Sequence, residues 1–459
     1  MTFKEYLAGF LNKRVAVVGA GVSNTPLIQA LLEAGVDTVV CDKRSRDELG
    51  RAADRFESVG AELRLGETYL DDLDADVVFR TPGIMPSNKA LRAAVRRGAV
   101  LTSEMEAFFD VCPCRIIAVT GSDGKTTTTS IIADILKNEG RTVHIGGNIG
   151  MPLLDAADDM RPDDIAVLEL SSFQLITMKK SPDIAVITNV APNHLDVHKD
   201  MEEYTSAKRN IFLHQKSENR VVLNYDNDFT RTCARDASAG EILFFSSREK
   251  VRDGVYLDGS DIYEASGGQS GIIMPAKDII LPGKHNKENF MAAFAAVRGL
   301  AGRGAMRETA RTFMGVRHRL ELIRELRRVK YYNDSIATSP TRTIAGLRAF
   351  EQKVILIAGG KDKGIPFDEL GEEILLRVKK LVLTGAASGK IQAAVESAPG
   401  YAGTPEIIMQ EDFTKAVPAA SEAAVEGDIV LLSPACSSFD RFNNFEERGD
   451  SFRAIVEQL

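Results

Sequence analysis

The run Thr120-Gly121-Ser122-Asp123-Gly124-Lys125-Thr126-Thr127 follows the β-branched segment Ile116-Ile117-Ala118-Val119 and precedes a helix-length stretch that reaches Gly140. Two glycines, a lysine and a hydroxyl at this spacing suit phosphate chemistry. Glycines let successive backbone N–H groups turn toward phosphate oxygens, the helix N-terminus adds a partial positive charge, and Lys125 adds a full one. Thr126 stands where a hydroxyl ligates magnesium. The strict phosphate-loop pattern has glycine where this chain has Val119, so the loop is a shortened variant. ATP or a similar nucleotide is the expected ligand, and the plain alternative is a glycine-rich turn capped by a lysine.

Three further groups could act beside bound phosphates. Glu169 ends the apolar run Ile165-Ala166-Val167-Leu168; an acidic residue at the end of a later strand is the expected second magnesium anchor in a phosphate-loop domain. His194, in Asn193-His194-Leu195-Asp196, follows another strand, Ile184-Ala185-Val186-Ile187, and reads either as a metal ligand or as a structural histidine. Lys208 lies on an amphipathic helix in Tyr204-Thr205-Ser206-Ala207-Lys208-Arg209, where an exposed lysine is the default.

Nearer the N-terminus, Gly19-Ala20-Gly21-Val22-Ser23-Asn24 follows the strand Arg14-Val15-Ala16-Val17-Val18, and Asp42 ends the next strand. The pair resembles a dinucleotide-binding turn with its ribose carboxylate, except that Asn24 replaces the third glycine. A nucleotide-sugar diphosphate fits this turn as well as NAD does.

Short β-branched runs alternate with amphipathic, helix-length stretches from end to end, which is the pattern of parallel sheets covered by helices. Three groups of such units are visible, with boundaries expected near residues 98 and 314. The segment around 241–282 has short alternating strands and is expected to form a small antiparallel subsheet. A length of 459 residues agrees with about three domains of ~150 residues.

With 44% apolar and 27% charged residues the composition is that of a folded α/β enzyme rather than a disordered or fibrous chain. A formal charge of −8 argues against a broad nucleic-acid surface. Cys41, Cys112, Cys114, Cys233 and Cys436 are odd in number and irregularly spaced, and read as reduced thiols. No apolar run reaches the ~18 residues of a membrane span, and no signal-peptide pattern opens the chain, so a cytoplasmic protein is expected.

Taken together, these residues resemble the Mur ligase family over essentially the whole chain, and its D-glutamate-adding branch in particular. The resemblance is carried by the phosphate loop, Gly146-Gly147-Asn148-Ile149-Gly150, Glu169-Leu170-Ser171-Ser172-Phe173-Gln174, Asn193 to Asp196 and Lys208. Leu281 to Asn289, Arg317-His318-Arg319 and Asn333-Asp334-Ser335 continue it in order, and residues 432–449, from Leu432-Ser433-Pro434 to Glu447-Arg448-Gly449, are its most specific part.

The resemblance implies three domains: a Rossmann-like, UDP-substrate-binding domain over 1–98, a central P-loop-type ATP-binding domain with a mostly parallel sheet over 99–314, and a Rossmann-like amino-acid-binding domain over 315–459. It implies a monomeric ligase that joins D-glutamate to UDP-N-acetylmuramoyl-L-alanine in peptidoglycan synthesis, using ATP and two Mg2+ ions. Gly121, Ser122, Asp123, Gly124, Lys125, Thr126, Thr127 and Asn289 would bind ATP, with Asn286 on adenine, Asp334 on the ribose and Arg319 on the γ-phosphate. Thr126, Glu169, His194 and a carbamylated Lys208 would surround the metal, and Lys125, Lys208, His194 and Arg319 would form the catalytic set. Ser23, Asp42, Lys43, Arg44 and Gly83 would hold the uridine nucleotide, Asn148, Gln174 and His194 the part nearer the muramoyl group, and Thr338, Lys363, Ser438 and Phe445 D-glutamate.

One departure stands out. Relatives often read Asp-Ser-Lys-Ala-Thr where this chain has Asp334-Ser335-Ile336-Ala337-Thr338, so the lysine is dispensable or another cation, such as Lys361, replaces it. The rival readings within the family are ligases that add alanine, a diamino acid or a dipeptide, or a folylpoly-γ-glutamate synthase; residues 432–449 argue against them. Outside catalysis, a nucleotide sensor or a transport ATPase would call for the strict phosphate loop or a membrane or coiled-coil partner segment.

Overall fold

The computed structural model describes residues 1–194, 197–238 and 240–459, so Leu195 and Asp196 of the Asn193–Asp196 run lie outside the described residues. Three sheets carry the fold. The first contains β1 (Arg14–Val18), β2 (Asp37–Asp42), β3 (Glu62–Leu65), β4 (Val77–Arg80) and β5 (Val100–Thr102), all parallel in the order β3-β2-β1-β4-β5. Its central strand β1 is apolar after Arg14 because both faces are covered: Val15 and Val17 enter one core, Ala16 and Val18 another. The strand order reverses between β1 and β4, which leaves a crevice at their carboxyl ends. The Gly19–Asn24 turn, Asp42 and Gly83 all follow carboxyl ends of this sheet.

The second sheet runs β14-β13-β12-β11-β10-β9-β6-β8-β7. Its strands are β6 (Arg115–Thr120), β7 (Val143–Gly147), β8 (Ile165–Glu169), β9 (Ile184–Ile187), β10 (Arg220–Asn224), β11 (Glu241–Ser246), β12 (Gly254–Asp258), β13 (Asp261–Ser266) and β14 (Gln269–Pro275). The expected antiparallel strands are present as β12–β14, but they form no separate subsheet. β12 pairs parallel with β11, Phe244 opposite Gly254, and so extends the main sheet before the chain turns back on itself.

The helix Glu104–Val111 follows β5 and buries Met105, Phe108 and Val111 in a core shared by the first two sheets. Arg80, at the end of β4 and 1% exposed, ties the same region together. Its guanidinium donates to the carbonyls of Phe173 and Ile84 and to Thr177 Oγ1, and burial lowers its pKa to about 10 despite the opposing charge of Glu106. Arg80→Ala would leave those part-buried acceptors without this donor and open a cavity in the core, so a loss of about 2–4 kcal/mol is expected. Thermal melting measures it. Arg80→Lys should recover little, because a single ammonium cannot reproduce a planar fork; recovery to the parent melting temperature would contradict this account.

The third sheet has the order β15-β16-β20-β17-β18-β19, formed by β15 (Glu321–Leu326), β16 (Val329–Asn333), β17 (Val354–Gly359), β18 (Val378–Thr384), β19 (Glu406–Met409) and β20 (Ile429–Leu432). Only the β15–β16 pair is antiparallel. Alternation along β17 sends Leu356 and Ala358 into one core and Ile355 and Ile357 into the other, as expected of a strand sandwiched between helices. The chain divides into two compact units: residues 1–278 with 287–310, and residues 279–286 with 311–459. Among the described residues no helix is long and apolar enough to cross a membrane.

Candidate active site

The phosphate loop leaves β6 between β8 and β9, where the order of the second sheet reverses, and its helix runs Lys125–Asn138. Gly121 and Gly124 have φ of 153° and 79°; a Cβ on the first would meet Thr188 Oγ1 at 1.9 Å, and on the second Asn289 Oδ1 at 2.3 Å. Both positions therefore require glycine. The loop is pinned from behind. Ser122 N and Asp123 N donate to Asn189 O and Oδ1 at 2.9 and 3.0 Å, Thr188 Oγ1 to Asp123 O at 2.6 Å, and Ser122 Oγ to Ala191 O at 2.8 Å. Lys125 Nζ curls over the turn to Gly121 O and Ser122 O at 3.0 and 2.9 Å. Thr127 is buried, Thr126 is half-buried one residue into the helix, and Asn289 accepts from Thr128 Oγ1.

Lys208 is not at the surface. Its helix, Met201–Leu213, buries Tyr204, Ala207, Lys208, Ile211 and Phe212 as one stripe, and Lys208 is 1% exposed. Its Nζ donates to Gly121 O at 2.7 Å and lies 4.6 Å from the centroid of the Tyr204 ring. Burial, reinforced by Lys125 and partly offset by Asp123 and Glu169, lowers its pKa to about 7. The amine is thus poised between its charged and neutral forms near neutral pH.

Glu169 ends β8 and is 2% exposed. Its Oε1 accepts from Asn148 Nδ2 at 2.9 Å, while the buried Oε2 has no hydrogen-bond partner. A buried carboxylate oxygen left open in this way suits a cation. His194 has φ of 56° and packs edge-on to Phe173 at 5.2 Å and tilted to Tyr204 at 6.5 Å. Among the described residues no group of three or more His, Cys, Asp or Glu side chains could hold a metal. The expected set differs in kind: one carboxylate, one histidine, one hydroxyl and a lysine that becomes a ligand only once carbamylated. Gln174 closes a capping box with Ser171, and Asn148 bears on Glu169.

Two neighbours escaped the sequence reading. His198, 2% exposed, stacks on Phe173 at 5.0 Å and shares a 2.9 Å hydrogen bond with Ser172 Oγ. Tyr204 OH meets Ser122 Oγ at 2.9 Å. Tyr204 was legible, since it stands one helical turn before Lys208; no local signal marks His198.

In the first sheet, Asp42 is occupied on both oxygens. Oδ2 accepts from Ala20 N and Arg44 Nη2 at 2.8 Å each, and Oδ1 from Arg44 N and Nε at 2.9 Å. Burial would raise its pKa, but these donors outweigh it and hold the carboxyl below its usual range. The expected ribose carboxylate thus fixes Arg44 over the Gly19–Asn24 turn, with a further Arg44 bond to Ala20 O. Asn24, the residue in place of the third glycine, closes that turn through Nδ2 to Gly19 O at 2.9 Å. Ser23, Lys43 and Gly83 are exposed.

The second unit holds the remaining predicted residues. Asn286 is buried and donates to Pro282 O at 2.6 Å; Arg319 is half-buried. Asp334 follows β16 and accepts from Ser433 Oγ at 2.8 Å and Leu320 N at 3.3 Å; burial raises its pKa to about 7 against those bonds and against Arg319 and Arg342. Lys363 Nζ donates to Thr338 Oγ1 at 3.2 Å, so two of the four expected D-glutamate residues are in contact. Ser438 is buried, and Phe445 opens the helix Phe445–Gln458 with its carbonyl accepting from Ser335 Oγ at 2.8 Å. Arg448, also unforeseen, is 2% exposed and binds Ser335 and Cys436 O, which fixes the 432–449 segment against the residues after β16.

Comparison with known proteins gives a consistent result. Residues 119–297 match the Mur ligase middle domain, and residues 318–436 the Mur ligase, glutamate ligase domain. The chain is 49% identical over 460 residues to a UDP-N-acetylmuramoylalanine–D-glutamate ligase of Clostridium novyi, covering 100% of this chain and 99% of that protein. It is 50% identical over 452 residues to the protein of the same name from Acetivibrio thermocellus, covering 98% and 97%. Among solved structures, the UDP-N-acetylmuramate-alanine ligase of Thermotoga maritima shares the fold with a TM-score of 0.57 at 19% identity, covering 97% of this chain and 99% of the other.

Proposed function

We propose, from the premise that this chain belongs to the Mur ligase family, that it is the ATP-dependent ligase that joins D-glutamate to UDP-N-acetylmuramoyl-L-alanine in peptidoglycan synthesis. The observation that carries this reading is the near-50% identity, along the full length, to proteins named for that reaction. The proposal includes a cytoplasmic monomer, domains over 1–98, 99–314 and 315–459, two magnesium ions and a carbamate on Lys208.

A free carboxylate resists attack by an amine, so the chemistry needs a leaving group. The L-alanine carboxylate takes the γ-phosphoryl group of ATP to give an acyl phosphate, and the amine of D-glutamate displaces phosphate from it. The N-terminus of the helix Lys125–Asn138 orients the phosphates, and Lys125 and Arg319 offset charge as it builds on the transferred group. Glu169 with its open Oε2, Thr126, His194 and carbamylated Lys208 would hold magnesium, which supplies charge neutralisation at phosphate oxygens when bound. Arg44, fixed by Asp42, faces the uridine nucleotide, and Lys363 with Thr338 faces a D-glutamate carboxylate.

The test mixes the protein with ATP, magnesium and UDP-N-acetylmuramoyl-L-alanine, then supplies D- or L-glutamate, and follows phosphate release and product mass. Equimolar phosphate and a product heavier by one glutamyl residue are expected with the D isomer. Product with L-glutamate alone, or none with either, defeats the proposal.

A further inference from the structure

The turn after β16 gathers two cations, only one of which the D-glutamate reading uses. Ile336 O is the common acceptor: it receives Thr338 N at 2.8 Å and Arg342 Nη1 at 3.2 Å. On the other side of the same turn, Thr338 Oγ1 receives Lys363 Nζ at 3.2 Å. Arg342 is exposed, on the first turn of the helix Pro340–Leu347, and donates to a neutral carbonyl. Neither neighbouring carboxylate gives Arg342 a hydrogen-bonded ion pair. Asp362 is paired with Lys390 and caps Gly364 N, while Asp334, which Arg342 influences as a nearby charge, is buried and hydrogen-bonded to Ser433 and Leu320. A guanidinium in the first turn of a helix is also disfavoured by the helix dipole, so its placement leaves a cation that a negative group would stabilise. Lys361, another cation close in sequence to Lys363, is held through its backbone by Ser437.

Resting on the proposed function, we infer that Arg342 is the second cation of the D-glutamate site, so that Arg342 and Lys363 each take one of the amino acid's two carboxylates. Two anchors fix a flexible dicarboxylate at both ends and leave its amine as the one nucleophile presented. They also explain how a chain with Ile336 instead of a lysine keeps two positive charges at this turn: the charge comes from a residue six positions on. A planar guanidinium binds a carboxylate through two parallel hydrogen bonds, which adds selectivity for a dicarboxylate over a mono-acid.

The experiment measures steady-state constants for all three substrates in the full-length protein and in Arg342→Gln, Arg342→Lys and the double variant Ile336→Lys/Arg342→Gln, with melting temperatures as a fold control. Arg342→Gln is expected to raise KM for D-glutamate about tenfold to a hundredfold, with KM for ATP and for the uridine nucleotide within twofold. Arg342→Lys should fall between, and the relocated lysine should recover at least a third of the lost kcat/KM. An unchanged KM for D-glutamate, or an equal rise in KM for ATP, removes Arg342 from the site and leaves the ligase reading intact. Failure of the parent protein to form an amide with D-glutamate overturns both.

Discussion

Replacing Lys208 with alanine is expected to lower kcat roughly a thousandfold while the melting temperature changes by only a few degrees. The lysine is 1% exposed, touches Gly121 O and has a pKa lowered to about 7 by burial and by Lys125. Carbon dioxide reacts with the neutral amine only: the nitrogen lone pair forms the N–C bond as a C=O π pair moves onto oxygen, nitrogen then loses a proton, and the neutral amine becomes a two-oxygen anion. The sign of the pH effect follows. Above about pH 7 the neutral amine predominates and the proposed carbamate can form; as pH falls below 7 the ammonium form removes the nucleophile. In carbon-dioxide-depleted buffer the parent protein should therefore lose activity, regain it with bicarbonate at pH 8, and regain much less at pH 6. Lys208→Ala should recover partly with formate or acetate, which supply the missing carboxylate. Lys208→Arg should not, because a guanidinium forms no such adduct at these pH values. If Lys208 only braces the loop, activity will fall on mutation with no response to bicarbonate or added acid, and that pattern would remove the carbamate.

Lys125→Ala should give the other large loss, about 10²–10³-fold in kcat, together with a raised KM for ATP. Lys125 Nζ rests on Gly121 O and Ser122 O, at the N-terminus of the helix Lys125–Asn138. From there a full positive charge would reach bound phosphates that the backbone dipoles alone would neutralise only in part. Lys125→Arg should restore little, since the longer planar group cannot occupy the same turn as a compact ammonium. Affinity for the uridine nucleotide, measured by calorimetry without ATP, should stay within twofold of the parent. A kcat within threefold of the parent would mean that the lysine caps the turn and does not act on phosphate.

Residue types and their local spacing are enough to predict a phosphate-binding turn and to identify the parallel sheets. Glycine at 121 and 124, lysine at 125 and a hydroxyl at 126 can be read without coordinates, because backbone sterics and helix polarity act over a few residues. The β-branched runs likewise predict buried parallel strands. Lys208 was legible too: Tyr204, Ala207, Ile211 and Phe212 surround it at helical spacing, so periodicity alone places it on the apolar face, and weighing residue type above position pointed to the surface.

Other features depended on distant parts of the chain meeting. Asp42 accepting from Ala20 N, Arg80 reaching Phe173 and Thr177, the open oxygen of Glu169 and the convergence of Arg342 and Lys363 on one turn each depend on residues whose pairing has no local spacing rule. Burial sets protonation and hydrogen-bond demand, and burial is a property of packing. Residue types therefore fix which reactions are available to a side chain, while the tertiary structure decides which of them it is placed and charged to perform.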